Sequence, residues 1–393
     1  MNRGNKGAVF VALTLTGLLA ACSSSGAAGG ASEAPASAAA SAAASADASA
    51  DPNTEASGLE QAKTEAARYQ DTAGLVYPEP PGANDPGVGK VAIISCGQTG
   101  IGCQQMSAFA VDAAKAAGWE PSEVLDGLFD PSVQAKYVQQ AVNEGYDAII
   151  LASIDAASIS AAIDAANQAG IPVACITCYN PGFEGKVIDA APNGEEGGVA
   201  LATWITSNFE GKATVVGVDD KSFPIVGARM KGVQAGLAQY CPECTYSQID
   251  FPTSELSQAG PPTWTGFLSA NPEGTVDFVA GPYDFMSLPA AKTSAQAGRV
   301  TPLIGGFDAY TEFVTAIEKG DPATAVVTVA APFEYSAWSA MDLVARAKAG
   351  ADLWTANTMP SALVTKANAS EFSKGYLSPP FDTATFFKTS WGK

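Results

Sequence analysis

The sequence predicts an α/β protein of two doubly wound parallel-sheet domains with a ligand cleft between them. Three observations predict it. From Val88 onward, short uncharged β-branched runs alternate with amphipathic helical segments, the pattern of parallel sheets with right-handed crossovers. About five strands precede Asn193 and about five follow it, and two sheets of five or six are more usual than one of ten. The 393 residues are enough for two core-bearing domains.

The first strand sets the register. Val91 to Ser95 is β-branched and uncharged, as in a strand buried on both faces. The loop Cys96 to Cys103 is rich in Gly, Gln and Thr, so its backbone can approach a ligand and its side chains can hydrogen-bond one. Ligands of open parallel sheets bind beyond the carboxyl ends of the strands, so this loop is expected to form one wall of a site. A helix follows over Gln105–Ala117, then a strand near Glu123–Leu125, helix Pro131–Glu144 and strand Ala148–Leu151. Helix Ala157–Ala169 stops at Gly170, and strands Ile171–Thr177 and Val187–Ala190 complete the first half.

The second half repeats the scheme. Helices are expected over Glu195–Asn208, Ile225–Tyr240, Pro261–Ala270, Phe285–Ala297, Tyr310–Glu318 and Phe333–Ala349. Strands are expected over Thr214–Val218, Tyr246–Ile249, Val276–Ala280, Pro302–Ile304 and Ala325–Val329.

The N-terminus reads as an address. Arg3 and Lys6 precede an apolar run, Val9 to Leu19, too short to span a bilayer. Leu19-Ala20-Ala21-Cys22 matches the bacterial lipobox, which implies cleavage after residue 21 and a lipid on Cys22. The alternative is an ordinary secretory signal with an incidental cysteine. The expectation is an extracytoplasmic protein, lipid-anchored at the outer face of the cell membrane. Residues 22–57 are nearly all Ala, Ser and Gly and form a disordered tether. Residues 58–87 hold a short surface helix, Leu59 to Tyr69, and a Pro-rich linker.

Export makes the other six cysteines disulfide candidates. Cys241-Pro-Glu-Cys244 lies between a helix and a strand, where a turn brings the sulfurs together. Cys96 and Cys103 are placed to close the first loop. Cys175 and Cys178 are different: in an extended run their Cα atoms lie about 10 Å apart, too far to bridge. Partnership with the first loop and a buried thiol both stay open for them.

A net charge of −19 with no histidine argues against nucleic acid as a partner. It also removes the commonest general base and metal ligand. No Gly-x-Ser-x-Gly elbow, metal-ligand cluster or Walker-type loop appears. The chain is expected to be no enzyme and to need no cofactor or metal.

Several stretches together resemble the periplasmic sugar-binding proteins of the ribose-binding type, the solute receptors of ABC importers. These are Asp147-Ala-Ile-Ile-Leu-Ala-Ser-Ile-Asp-Ala-Ala, Ala166-Asn-Gln-Ala-Gly-Ile-Pro-Val, Ala228-Arg-Met-Lys-Gly-Val, Tyr283-Asp-Phe-Met-Ser-Leu-Pro-Ala and Ile304-Gly-Gly-Phe-Asp-Ala. They occur in the family's order between about Lys90 and Gly350. The resemblance implies two Rossmann-like lobes joined by a three-strand hinge, with crossings near Pro192–Asn193, Ala330 and Leu353. The lobes are then residues 88–193 plus 330–352, and 194–329 plus 353–393. It implies a monomer that closes on a small solute and delivers it to an ABC permease and its ATPase. Repressors of the lactose type share the fold, but a lipobox and not a DNA-binding helix-turn-helix precedes the domain here.

The resemblance also places site residues. The first loop offers Gln98, Thr99 and Ile101; the alternative is a glycine-shaped surface turn closed by a disulfide. Asp308, at the end of a buried strand, is expected to accept hydrogen bonds from ligand hydroxyls, to cap the helix from Tyr310, or both. Asp155 reads first as a helix cap. Arg229 falls on the family's structural arginine, a helix-face ion pair near the cleft, and Gly227 falls where the ligand-binding arginine would stand. Tyr283 replaces a ligand-binding Asn and can stack on a sugar face, or pack at the hinge. Tyr179, Phe223 and Phe251 are similar aromatic candidates. Thr177-Cys178 replaces the usual Asp-Arg, and Ala330 the usual Gln. A pocket so thinned of charge implies a neutral solute, less hydroxylated than a hexose, since unpaired buried charges are costly. A deoxy sugar, a nucleoside-like molecule or a small aromatic compound fits.

Two other classes compete with this reading. A receptor of the same fold could signal to a membrane partner in place of a permease. A thiol-disulfide oxidoreductase would use a Cys-x-x-Cys pair, but that chemistry wants the pair at a helix N-terminus, and neither pair has that setting.

Overall fold

The computed structural model describes residues 52–255 and 262–393. The signal-like segment, Cys22 and most of the Ala/Ser-rich stretch lie outside the described residues.

In chain order, helix α1 (Pro52–Gln70) precedes strand β1 (Lys90–Ser95), α2 (Ile101–Ala117), β2 (Glu120–Pro121), β3 (Leu125–Asp126), α3 (Pro131–Asn143), β4 (Ala148–Ala152), α4 (Ser160–Gln168), β5 (Val173–Ile176) and β6 (Ile188–Pro192). Next come α5 (Gly194–Asn208), β7 (Thr214–Asp219), α6 (Pro224–Tyr240), β8 (Thr245–Asp250), α7 (Pro262–Ala270), β9 (Phe278–Ala280), α8 (Asp284–Gln296), β10 (Leu303–Asp308), α9 (Thr311–Lys319) and β11 (Ala325–Ala330). The chain ends with α10 (Phe333–Ala349), β12 (Ala356–Met359), β13 (Ala362–Thr365) and α11 (Thr383–Ser390).

The strands form two sheets, as expected. The first has the order β12-β6-β5-β4-β1-β2, with β3 also on the outer edge of β1, and all its pairs are parallel. The second has the order β13-β11-β10-β9-β7-β8, parallel except for β13 against β11. β4 is buried at every residue and β1 at all but its first, which is why both read as continuous apolar runs. Caps match the helix starts: Asp130 accepts from Ser132 N, and Asn193 from Glu196 N. Helices α5 and α6 pack through Gly198 and Gly232, whose missing Cβ atoms would run into the backbone of Arg229 and Glu195.

Three strands lead from one sheet to the other. β6 ends at Pro192 before α5, and β11 ends at Ala330 before α10, near the expected places. The third passage differs. β12 pairs with β6 in the first sheet and β13 with β11 in the second, so it lies at Pro360–Ser361 and not at Leu353. Residues 353–359 therefore extend the first lobe.

The ends of the chain also depart from expectation. α1 is no surface helix: Ala62, Ala66 and Tyr69 are buried. It lies on the second lobe, where Gln70 accepts from Thr365 Oγ1 and Asn368 Nδ2. The Pro-rich segment then crosses to the first lobe, where Tyr335 donates to Pro78 O and Arg346 to Gly82 O. The C-terminal tail does the same. A short turn of helix at Ala369–Phe372 follows β13, Leu377 N donates to Ala331 O, and α11 packs against α10 and α2 of the first lobe. The resemblance places this tail with the second lobe, because its last crossing is expected at Leu353. Its aromatics instead partner α10, whose second face is covered by Phe381, Phe386, Phe387 and Trp391.

Candidate functional site

A cavity of about 60 Å³ lies between the carboxyl ends of the two sheets. The first lobe contributes Gly100 to Cys103 after β1, Met106 on α2, Phe129 after β3, Ser153 after β4 and Thr177 after β5. The second lobe contributes Phe223 and the first turns of α6, Tyr283 and Phe285 after β9, and Asp308 at the end of β10. Phe333, just past the second passage, closes it. Each strand end delivers one or two side chains, as the doubly wound topology requires.

Five of the wall residues are aromatic: Phe129, Phe223, Tyr283, Phe285 and Phe333. Phe129 and Phe223 meet edge to face across the lobes, with ring centroids 6.4 Å apart, and Phe223 meets Tyr283 at 5.9 Å. Tyr283 OH donates to Asp220 Oδ2 at 2.8 Å. Phe129 lies on the first loop: a Cβ at Gly97 would stand 2.5 Å from its ring, and one at Gly100 2.8 Å. These two glycines therefore leave room for a ring, not for a ligand. Beyond the Phe129–Phe223 contact a second, outer chamber of about 320 Å³ opens past Ser153, Asp155, Ser158 and Ser222.

The polar groups are few and mostly matched. Arg229 Nη2 and Asp308 Oδ1 pair at 2.6 Å, and Arg229 also donates to Pro282 O and covers the Phe307 ring. Behind them Asp284 is fully buried, accepting from Thr328 Oγ1 and Tyr310 N. Burial first, and then the neighbouring Asp308 carboxylate, push the Asp284 carboxyl well above the usual range. Thr177 Oγ1 is buried and has no hydrogen-bond partner among the described residues.

The structure brings Ile101, Thr177, Phe223, Tyr283 and Asp308 together at the cavity. The other candidates lie elsewhere. Gln98 turns to Ser107 on α2, 3.0 Å away, and Thr99 is exposed on the loop's outer side. Gly227 is exposed on α6, with open space where a side chain would stand. Tyr179 is 37 % exposed, because the turn after β5 carries it outward. Phe251 and Ala330 are buried in the packing of the second lobe and the second passage. Asp308 does not cap α9: Tyr310 is the N-cap residue and has no side-chain cap, and the Tyr310 N–H goes to Asp284. Asp155 does not cap a helix: it accepts from Ala157 N two residues on, one residue ahead of Ala156, the uncapped start of the turn Ala157–Ile159, and α4 follows Ile159 with no side-chain cap. Arg229 forms the expected ion pair, and it also lines the cavity.

Met106, Phe129, Phe285 and Phe333 were not anticipated. Phe129 had a readable signal: Gly127-Leu128-Phe129-Asp130 puts a large apolar residue in a loop directly after a strand, where burial needs a special partner.

Three cysteine pairs stand at bridging distance, with Cα atoms 5.8, 5.7 and 5.3 Å apart: Cys96–Cys103, Cys175–Cys178 and Cys241–Cys244. The second corrects the extended reading. β5 ends at Ile176, Thr177 takes φ +54°, and the Cα atoms of Cys175 and Cys178 come to 5.7 Å.

Residues 91–352 match the family model described as a periplasmic binding protein domain. A xylitol-binding protein of Mycolicibacterium smegmatis is 27 % identical over 198 residues, 49 % of this chain and 54 % of that protein. The match thus spans about half the length of that relative. Among solved structures, an ABC transporter solute-binding protein of Agrobacterium vitis with bound allitol aligns at TM-score 0.64 and 20 % identity, over 73 % of this chain and 98 % of that one. A myo-inositol-binding protein of Caulobacter, bound to myo-inositol, aligns at 0.63 and 24 %, over 72 % and 96 %. A solute-binding protein of Mycobacterium smegmatis with bound glycerol aligns at 0.64 and 20 %, over 75 % and 99 %. At these identities the structural likeness concerns the fold.

Proposed function

Since the chain belongs to the periplasmic binding protein family, we propose that it captures a small uncharged polyol or sugar-like solute by closure of its two lobes and delivers it to an ABC permease. The observation that carries this reading is the cavity itself. Both lobes line it at their strand ends, so a solute there touches both and favours the closed form.

Charge argues for a neutral solute. Arg229 and Asp308 satisfy each other, and a charged solute would need a counter-charge that the cavity does not offer. The aromatic rings in its walls suit the C–H faces of a polyol or sugar ring. The polyols named for the relatives, xylitol, allitol, glycerol and myo-inositol, are all uncharged. Attachment through a lipid on Cys22 belongs to the same reading, as does monomeric action outside the cytoplasm.

Titration calorimetry tests it, with pentitols, hexitols, inositols, deoxy sugars, nucleosides and sugar phosphates. Binding of an uncharged hydroxylated solute is expected; binding of charged solutes alone overturns the reading. Loss of membrane association in Cys22→Ala, expressed in a bacterial host, checks the anchor.

A further inference from the structure

We propose that the C-terminal tail is a fourth hinge segment: residues 373–375 strap the first lobe to the second where α2 faces α9, and so limit how far the lobes part before a solute closes them. The inference rests on the solute-capture reading and adds a restraint that the three strand passages do not supply.

The tail is fixed to both lobes over a short stretch. The turn Ala369–Phe372 packs on α9 and β13 of the second lobe, and Phe372 is 2 % exposed. Tyr376 already belongs to the first lobe. Its ring meets Phe109 of α2 edge to face at 5.0 Å, its OH donates to Glu334 Oε2 at 3.1 Å, and Leu377 N donates to Ala331 O at 3.0 Å. Ser373, Lys374 and Gly375 are all that lies between the anchors. The four Cα steps from Phe372 to Tyr376 reach about 14 Å at full extension, so wider parting needs an anchor to undock. The N-terminal crossing has six residues, 71–76, between Gln70 and Tyr77, so the tail is the tighter tie.

The strap lies in the gap between the lobes, on one side of it. A Cβ at Gly375 would run into Thr311, in the first turn of α9, and stand 3.4 Å from Gln105 Nε2 on α2. With φ at +80° as well, the position suits glycine alone. Right-handed crossovers put α2 and α10 on one face of the first sheet, and α3 and α4 on the other. In the second sheet they put α8 and α9 on one face, and α5 and α6 on the other. The strap therefore joins the α2 face to the α9 face. The outer chamber opens on the opposite side, at the starts of α3 and α6 and just before α4. The strap thus works as part of the hinge and leaves that mouth clear.

The test lengthens the strap without touching its anchors. Four residues, Gly-Ser-Gly-Ser, are inserted between Ser373 and Lys374 of the full chain. The same insertion between Glu144 and Gly145, in an exposed turn of the first lobe, is the control. X-ray scattering of the solute-free proteins and calorimetry with xylitol and myo-inositol are the readouts. The strap insertion is expected to raise the radius of gyration above that of parent and control. It is also expected to weaken the better probe about 2- to 4-fold, the entropic cost of closing a loop somewhat more than doubled in length. If four residues unpack the tail, read as lost near-ultraviolet dichroism, a two-residue insertion at the same place decides by the same criteria. A radius of gyration equal to the parent's overturns the proposal, as does an equal rise in the control. A larger radius with unchanged affinity overturns the link between the restraint and capture. If the parent binds neither probe while the strap insertion alone raises the radius, the restraint stands and the solute reading is what fails.

Discussion

The guanidinium of Arg229, on α6, lies 2.6 Å from the carboxylate of Asp308, at the end of β10 and 79 residues later in the chain. This pair decides the electrostatics of the cavity. Asp308 alone would present a negative charge to the solute; paired, the wall is close to neutral. The Arg229 side chain is 5 % exposed and that of Asp308 19 %, so removing one partner strands the other. Asp308→Ala is expected to destabilise the protein by an amount near the lower end of about 3–5 kcal/mol, read by urea denaturation. The Arg229→Met/Asp308→Leu protein should recover most of that loss. A single-variant cost below about 0.5 kcal/mol, typical of exposed pairs, would show the pair to be solvated.

Phe129 rests on Gly97 and Gly100 and reaches Phe223 of the other lobe. This ring contact favours the closed form by the amount such pairs contribute, about 0.5–1.5 kcal/mol. Phe129→Ala should therefore weaken solute binding about 2- to 10-fold and increase the radius of gyration of the solute-free protein in X-ray scattering. Gly97→Ala should act the same way, since its Cβ would stand 2.5 Å from the ring. The combined variant should be no worse than Phe129→Ala. If Gly97→Ala binds normally, the ring is not held by the loop.

Asp284 has a carboxyl raised well above its ordinary 3.8, first by burial and then by Asp308. The sign follows from proton counts. Above about pH 4 the unfolded chain releases this proton while the folded protein keeps it, so stability falls as pH rises, by about 1.4 kcal/mol per pH unit. The fall ends once pH passes the folded value. Asp284→Asn keeps the shape: its carbonyl can accept from Tyr310 N and its amide can donate to Thr328 Oγ1. The variant should lose this part of the pH dependence and gain on the parent as pH rises above 4. Parallel stability–pH curves for the two proteins would show that Asp284 does not titrate in this range.

What the sequence makes legible follows a physical divide. Strands such as Ala148–Ala152 are buried at every position, so local composition alone reveals them. Asp308, Phe223 and Tyr283 were legible because they end or follow such strands in a known order. Phe129 left only a trace, a large apolar residue in a loop, and Phe333 none, because what makes a loop phenylalanine a wall is the ring across the cleft, a contact no local pattern encodes. Thr177 was placed by resemblance, yet it sits in a left-handed turn between Cys175 and Cys178, a pair that extended geometry would keep apart. The third passage was set seven residues early because β12 is short and only half apolar; it is a strand by pairing with β6, not by composition.

The tail gives a last prediction. Asp342, on α10, is 0 % exposed. Its Oδ1 accepts from Trp391 Nε1 at 2.9 Å, and its Oδ2 from Arg346 Nε and Trp354 Nε1 at 2.7 Å each. A buried carboxylate is tolerable only while its acceptor sites are filled. Trp391→Phe keeps an aromatic ring near Trp338, which stacks on Trp391 at 5.6 Å, but removes the donor to Oδ1. The expected cost is about 1–3 kcal/mol, lowering the melting temperature without changing solute affinity, since none of these residues lines the cavity. Asp342→Asn should lose at least as much, because an amide nitrogen in place of either oxygen faces an N–H donor. A Trp391→Phe protein that melts with the parent would mean that the tail is held by ring packing alone.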